Sequence, residues 1–240
     1  MQKLVDGTRK LGITLTEEQL NKFEVYYREL VDWNKHMNLT SITDYDAVQV
    51  RHFLDSLSVA RGIKSRDIKL GIKVIDIGTG AGLPGIPLKI ALPEIRLVLL
   101  EATSKKVKFL QHIVAMLGLE NVEIVNGRAE AIAHDVQYRE KFNLALSRAV
   151  AALPTLVELA LPFCKTGGRF IAQKKGDVEK ELKQAEKAIA TMGGRFNEVK
   201  PVELLTPEDK RCLVIIDKIS PSPTAYPRRP GMPEKRPLIS

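Results

Sequence analysis

The stretch KVIDIGTGAGLPGIPL (residues 73–88) decides the fold. Val74, Ile75 and Ile77 form a short β-branched run around Asp76, and four glycines and two prolines follow at once. A buried strand ending in such a turn and opening a helix is the nucleotide- or cofactor-binding unit of doubly wound α/β domains. Two fingerprints overlap in the turn, Gly78-x-Gly80-x-Gly82 and Gly80-x-Gly82-x-x-Gly85, and they imply different ligands.

Downstream, short β-rich runs at KVIDIG, RLVLLEA, VEIVNG, FNLALSRAV and GGRFIAQ alternate with helical stretches starting near Pro84, Ser104, Glu130, Pro154 and Asp177. Strands alternating with helices predict parallel βαβ units, and runs such as LVLL fit strands covered on both faces. After MGGRF the order becomes NEVKPVELL, a turn at Thr206-Pro-Glu-Asp, then RCLVIIDKI, with no room for a helix between them. That pair is expected to be an antiparallel hairpin. The predicted fold is α/β and Rossmann-like, a mostly parallel seven-stranded sheet with an antiparallel last strand, preceded by N-terminal helices.

Upstream, Thr16-Glu-Glu-Gln19 is a capping box, and a helix is expected from there to about Met37 with Leu20, Phe23, Tyr27, Leu30, Val31 and Asn34 facing inward. A second helix is expected from Thr43 or Asp44, with Val48, Phe53, Leu54 and Leu57 inward. Trp33 is read as core. The chain thus divides into a helical extension (1–66), a ligand-binding domain (67–220) and a basic, proline-rich tail (221–240).

Gly80 to Gly85 spells GxGxxG, and Glu101 lies 21 residues beyond Gly80, close to the spacing of a ribose-binding acid in dinucleotide folds. Against a dinucleotide stands Asp76, which would meet a pyrophosphate at the helix N-terminus. S-adenosylmethionine carries an ammonium and a sulfonium instead, so an acid beside the turn attracts it. The chain also lacks a second βαβαβ half. Gly78, Gly80 and Gly82 are therefore taken as the operative fingerprint, with GxGxxG coincidental, and the glycines let the backbone approach the methionine part. Glu101 is expected to accept from both ribose hydroxyls. Leu83 is expected to close over the cofactor, and Pro84 to start the helix where a missing amide costs little.

After the third strand, Glu130 is placed either to accept from a base amino group or to cap the next helix. The fourth strand ends in SRAVA, where amino-methylating enzymes carry an Asn or Asp followed by Pro-Pro and an aromatic. An exocyclic amine must lose a proton on methylation, whereas a ring nitrogen with a free lone pair, such as guanine N7, needs only alignment. No catalytic base is assigned; Arg148 is the candidate for orienting ligand or substrate, with a salt bridge to a neighbouring acid as the alternative.

Together, DIGTGAGLPGIPL, GRAEAI, SRAVA, WNKHMNLT (33–40), RHFLDSL (51–57) and the terminal YPRRPGMPEKRPL resemble the bacterial glucose-inhibited division protein B family of 16S rRNA guanine-N7 methyltransferases. The resemblance spans nearly the whole chain. It implies methyl transfer from S-adenosylmethionine to one guanine in the decoding-region loop of small-subunit rRNA. It also implies cofactor contacts at Gly78, Leu83, Ala129, Glu130 and Arg148, with Glu101, Ala102 and Thr103 in the ribose loop. The target is expected to be 16S rRNA, the small subunit or an assembly intermediate. Two other readings remain: a methyltransferase on a protein or small molecule, and a non-catalytic RNA-binding factor on the same fold.

Net charge is +8, and half of it lies in residues 218–240, where Lys218, Arg228, Arg229, Lys235 and Arg236 face Glu234 alone. Such a balance suits a polyanionic partner, though a solvated basic surface is the alternative. Under the family resemblance, Tyr226 offers a stacking platform and Arg228, Arg229, Lys235 and Arg236 bind phosphates, joined by Lys174 and Lys175 after the fifth strand. Lys105, Lys106 and Lys108 are read as a solvated helix face. Asn34, Lys35, His36, Asn38 and His52 are left between RNA contact and local structure. Cys164 and Cys212 lack ligand spacing, so no metal site is expected and both are read as core thiols. No apolar stretch reaches a membrane span and no secretory h-region is present, so a cytoplasmic protein is expected. A monomer is expected, although nothing in the sequence reveals the oligomeric state.

Overall fold

The computed structural model describes residues 1–63, 71–148, 151–205 and 211–239. The strands β1 Lys73–Ile77, β2 Arg96–Glu101, β3 Val122–Asn126, β4 Phe142–Arg148, β5 Cys164–Lys175, β6 Gly194–Val202 and β7 Arg211–Lys218 form one sheet, ordered β3-β2-β1-β4-β5-β7-β6. β1 to β5 pair in parallel, and β7 runs antiparallel to both β5 and β6. The expected turn at 206–209 lies outside the described residues.

β7 takes the inner position because Cys212 to Ile216 are all buried and need cover on both faces. β6 carries the exposed Arg195, Phe196 and Asn197 to the edge. The connections reverse direction between β1 and β4, which opens a crevice at the carboxyl ends of those two strands. The glycine turn and Arg148 flank that crevice.

The capping box forms as expected: Gln19 N donates to Thr16 Oγ1 at 3.2 Å and Thr16 N to Gln19 Oε1 at 2.9 Å, opening helix Glu17–Asn34. Gln19 Nε2 also donates to Ile90 O at 2.8 Å, tying this helix to the helix that follows the glycine turn. The inward face differs from the sequence expectation. Phe23, Tyr26 and Leu30 are buried, whereas Tyr27 is half-buried and its ring packs edge-on at 4.8 Å from Tyr45. A straight helix sets the three buried residues one turn apart, and Phe53 meets both Phe23 and Tyr26 at about 5 Å between ring centres.

The second helical segment starts at Tyr45, capped by Asp44, which accepts from Ala47 N at 2.8 Å. It passes through a π-helical turn at Gln49–Leu54 before Asp55–Leu57. Such widened turns cluster at functional sites, and this one brings Arg51, His52 and Asp55 to one cavity. Val48, Phe53, Leu54 and Leu57 are buried as expected. They share one apolar core with Val74, Leu144 and Leu146 of the sheet, so the helical extension is built into the domain. Trp33 packs at 5.6 Å from Phe109, and Asn34 Oδ1 accepts from the amides of Leu39 and Thr40, which assigns it to the helix exit.

The tail is packed against the domain. Tyr226 and Leu238 rest on a second core on the other side of the sheet, and a short helix forms at Met232–Lys235. Both cysteines are buried, and no group of metal-ligating side chains occurs among the described residues. No described helix is long and apolar enough to cross a membrane.

Candidate active site

The glycine turn needs its glycines for two distinct reasons. Gly78, Gly80 and Gly82 have φ of 67°, 62° and 92°, the left-handed region that side chains disfavour. A Cβ on Gly82 would also lie 2.3 Å from Ile86, whereas one on Gly80 would face open space. Gly85 has a packing role of its own, independent of any GxGxxG fingerprint. Its amide donates to Asp76 Oδ2 at 2.8 Å, and a Cβ there would stand 2.8 Å from Leu99 and 2.9 Å from that same oxygen. Gly85 lets the helix start directly on Asp76, while Pro84 sits just before it at the cap.

Asp76 is fully buried, and Thr79 Oγ1 also donates to its Oδ2 at 2.6 Å. Its Oδ1 has no hydrogen-bond partner. Burial pushes its pKa up to about 6, although both hydrogen bonds and the nearby Arg148 work against the rise. The acid therefore shapes the loop with one oxygen and leaves the other electrostatically unquenched, an arrangement that an ammonium above the loop would complement. Tyr26, missed in the sequence, braces the loop from beneath: its hydroxyl donates to Ala81 O at 2.5 Å and is wholly buried. The clue was its place one turn from Phe23 and Leu30.

Glu101, at the end of β2, accepts from Gly80 N at 2.9 Å and from Thr103 N at 2.8 Å, so it ties the glycine turn to the next loop. Each oxygen keeps a further lone pair for a hydroxyl. Asn126 Nδ2 holds the same loop by donating to the carbonyls of Glu101 and Ala102. Gly78, Ala102, Ala129 and Glu130 line a cavity of about 180 Å³ at the ends of β1 to β3. Leu83 does not line it. Its side chain is buried in the core shared with the N-terminal helices. Glu130 Oε1 accepts from Gly231 N at 2.9 Å and lies 3.5 Å from Arg128 Nη2.

Arg148 lines a second cavity of about 410 Å³ at the ends of β4 and β5, together with Arg51, His52, Asp55, Lys174 and Arg211. Its Nη1 lies 3.2 Å from Asp55 Oδ2, the salt bridge that sequence reasoning left open, and Arg211 Nε lies 3.5 Å from the other oxygen. His52 contacts Thr40 Oγ1 at 2.7 Å and Arg51 O at 3.1 Å, and burial pushes its pKa down to about 4. Lining residues of the two cavities touch after β4, where Ala151 lines the first and its carbonyl accepts from Lys174 Nζ, of the second, at 3.1 Å.

The proposed RNA-binding residues separate in the structure. Lys175, Arg229, Lys235 and Arg236 are exposed. Lys174 is pinned to Glu181 at 2.7 Å, Tyr226 packs on the core, and Arg228 pairs at 2.7 Å with the fully buried Glu158. Lys218 is buried as well, 3.3 Å from Glu140. These four are withdrawn from the basic surface because each meets a partner that no local sequence pattern announces.

Solved structures of similar fold include a mutant of MtNAS in complex with S-adenosylmethionine, which is 15% identical, covers 90% of this chain and 77% of that one, and has a TM-score of 0.52. A mutant 16S rRNA (adenine(1408)-N(1))-methyltransferase from Catenulisporales acidiphilia, with cosubstrate SAM, is 13% identical with a TM-score of 0.50, covering 66% of this chain and 91% of that one. At such identities the likeness is one of fold. Sequence relatives are much nearer. The ribosomal RNA small subunit methyltransferase G of Dehalococcoides mccartyi (strain CBDB1) is 54% identical over all of both chains. That of Lachnoclostridium phytofermentans is 46% identical over 98% of this chain and 96% of its own. The family described as rRNA small subunit methyltransferase G matches residues 19–210, so the chain belongs to the GidB family of small-subunit rRNA methyltransferases.

Proposed function

We propose that this protein methylates N7 of a guanine in 16S rRNA, with S-adenosylmethionine as the methyl donor and the target base entering the cavity between the N-terminal helices and the ends of β4 and β5. When bound, the cofactor supplies an electrophilic methyl group on a sulfonium. The chain's residues suit it: Gly80 leaves room above the turn, Asp76 supplies an unquenched negative charge, and Glu101 keeps lone pairs for a ribose.

The observation that carries the N7 reading is the state of the acids and the histidine in the second cavity. Asp55 is held by Arg148 and Arg211, Glu181 by Lys174, and both nitrogens of His52 are in contact with oxygen partners. Among the described residues none of these is poised to take a proton, whereas N7 attacks through a lone pair and releases none. The cationic lining, which includes the exposed Lys175, suits an anionic nucleic acid, and the exposed Arg229, Lys235 and Arg236 of the tail add further positive charge for its backbone.

The test is methyl transfer to small subunits, assembly intermediates and naked rRNA from a strain lacking the protein, with the product mapped by chemical cleavage at N7-methylguanine. Methyl on an exocyclic amine, or transfer only to non-RNA acceptors, would overturn the reading. Replacing Arg229, Lys235 and Arg236 by glutamine is expected to reduce the slope of log affinity against log salt by about 2 to 3, with cofactor affinity unchanged. An unchanged slope removes these residues from the RNA surface.

A further inference from the structure

The segment from Tyr226 to Arg236 does not hang from the sheet as a basic tail. Its central feature is Glu158, which lies on an apolar helix, Leu153–Ala160, with no exposure to solvent. Arg228 satisfies this carboxylate completely. Its backbone N–H and Nε both donate to Oε1, at 2.8 and 3.0 Å, and its Nη2 donates to Oε2 at 2.7 Å. The same Nη2 donates at 2.7 Å to Arg236 O, closing residues 228–236 into a loop.

That loop is fastened at two further points, and both belong to the smaller cavity. Gly231, turning at φ 81°, donates its amide to Glu130 Oε1 at 2.9 Å. Thr155, one turn before Glu158, donates through its hydroxyl to Pro233 O at 3.0 Å. Glu130 and Thr155 line the cavity, and so do Pro233 and Glu234. The remaining walls come from the ends of β1, β2 and β3, where the ribose loop and Ala129 lie, so this is the adenosine end of the cofactor site.

We propose that residues 231–234 form a built wall of the adenosine subsite, with Pro233 and Glu234 facing the nucleoside, and that Arg228 acts as a cofactor-positioning residue through its buried pairing with Glu158. This rests on the methyltransferase reading above. Arg228 and Arg229, adjacent in sequence, thus serve different ligands: the first fixes the wall, the second stays exposed at the RNA surface. Without the Arg228 side chain, a buried carboxylate would lose two of its three hydrogen bonds and the loop its closure, so the wall would part from the pocket.

The experiment compares full-length wild type with Arg228→Gln, Arg228→Lys, Arg229→Gln, Pro233→Ala and Glu234→Ala. Dissociation constants are measured for S-adenosylhomocysteine and for 5′-methylthioadenosine, which lacks the amino-acid end. Arg228→Gln is expected to weaken both about tenfold and by the same factor, to raise KM for the cofactor, and to leave kcat at saturation and RNA affinity within about twofold. Arg228→Lys, which keeps the charge but not the fork, is expected to fall between. Arg229→Gln is expected to lower RNA affinity without affecting either nucleoside. A folded Arg228→Gln protein with unchanged nucleoside affinity, or one that loses only RNA affinity, would overturn the proposal. Should Arg228→Gln not fold, Pro233→Ala and Glu234→Ala keep the Arg228–Glu158 pair intact, and unchanged 5′-methylthioadenosine affinity in both would overturn it equally. Failure of the wild type to bind S-adenosylhomocysteine would instead count against the methyltransferase reading.

Discussion

Asp76 should make cofactor binding depend on pH. Burial raises its pKa from 3.8 to about 6, so about one molecule in eleven carries the charge at pH 5 and nearly all do at pH 7.5. A cationic ligand that requires the carboxylate sees its affinity divided by that fraction, a loss of roughly tenfold or 1.4 kcal/mol at pH 5. His52, held at about 4, remains neutral across this range. The sign for stability is opposite. An acid held protonated in the fold but ionised when unfolded makes the fold less stable as pH rises from about 4 to 6, by roughly 3 kcal/mol at the limit. Titration calorimetry with S-adenosylmethionine from pH 5 to 8 measures the first effect, and thermal melts of the free protein measure the second. Asp76→Asn is expected to flatten the affinity profile at the weak, low-pH level. A wild-type affinity that is flat from pH 5 to 7.5, or an equal slope in the variant, would refute the assignment of Asp76 as the titrating group.

Tyr26→Phe removes a buried donor to Ala81 O and is expected to cost about 1 kcal/mol, seen as a fall in Tm of roughly 2–4 °C, with weaker cofactor binding because the turn loses its brace. An unchanged Tm and cofactor Kd would show that the contact is dispensable. Gly82→Ala combines a left-handed φ with a clash at Ile86, whereas Gly80→Ala bears only the backbone strain, about 1–2 kcal/mol, so the first is expected to lose more Tm and the second mainly cofactor affinity. Melts and binding on both variants check the order.

The fold was legible because its signals are local. The alternation of apolar runs with helical stretches, the capping box at Thr16 and Gln19, and the helix-free link between the last two strands all act over a few residues. The sheet needs nothing more remote than the preference of such runs for burial. The glycine turn was legible for the same reason, since φ above zero at Gly78, Gly80 and Gly82 restricts the residue type directly.

By itself, then, the sequence determined the alternation of elements, the cofactor-binding turn, the acid at the end of β2 and the excess of positive charge. What only the tertiary structure decided was the role of each ionic or packed side chain. Arg228 and Arg229 are chemically identical neighbours, yet one meets a fully buried carboxylate 70 positions away and the other meets water. Lys218 and Lys174 likewise left the basic surface for Glu140 and Glu181. Gly85 proved necessary only once Leu99 and Asp76 were beside it. A charge is worth what its surroundings make it, because desolvation and pairing depend on groups that the chain brings together only on folding.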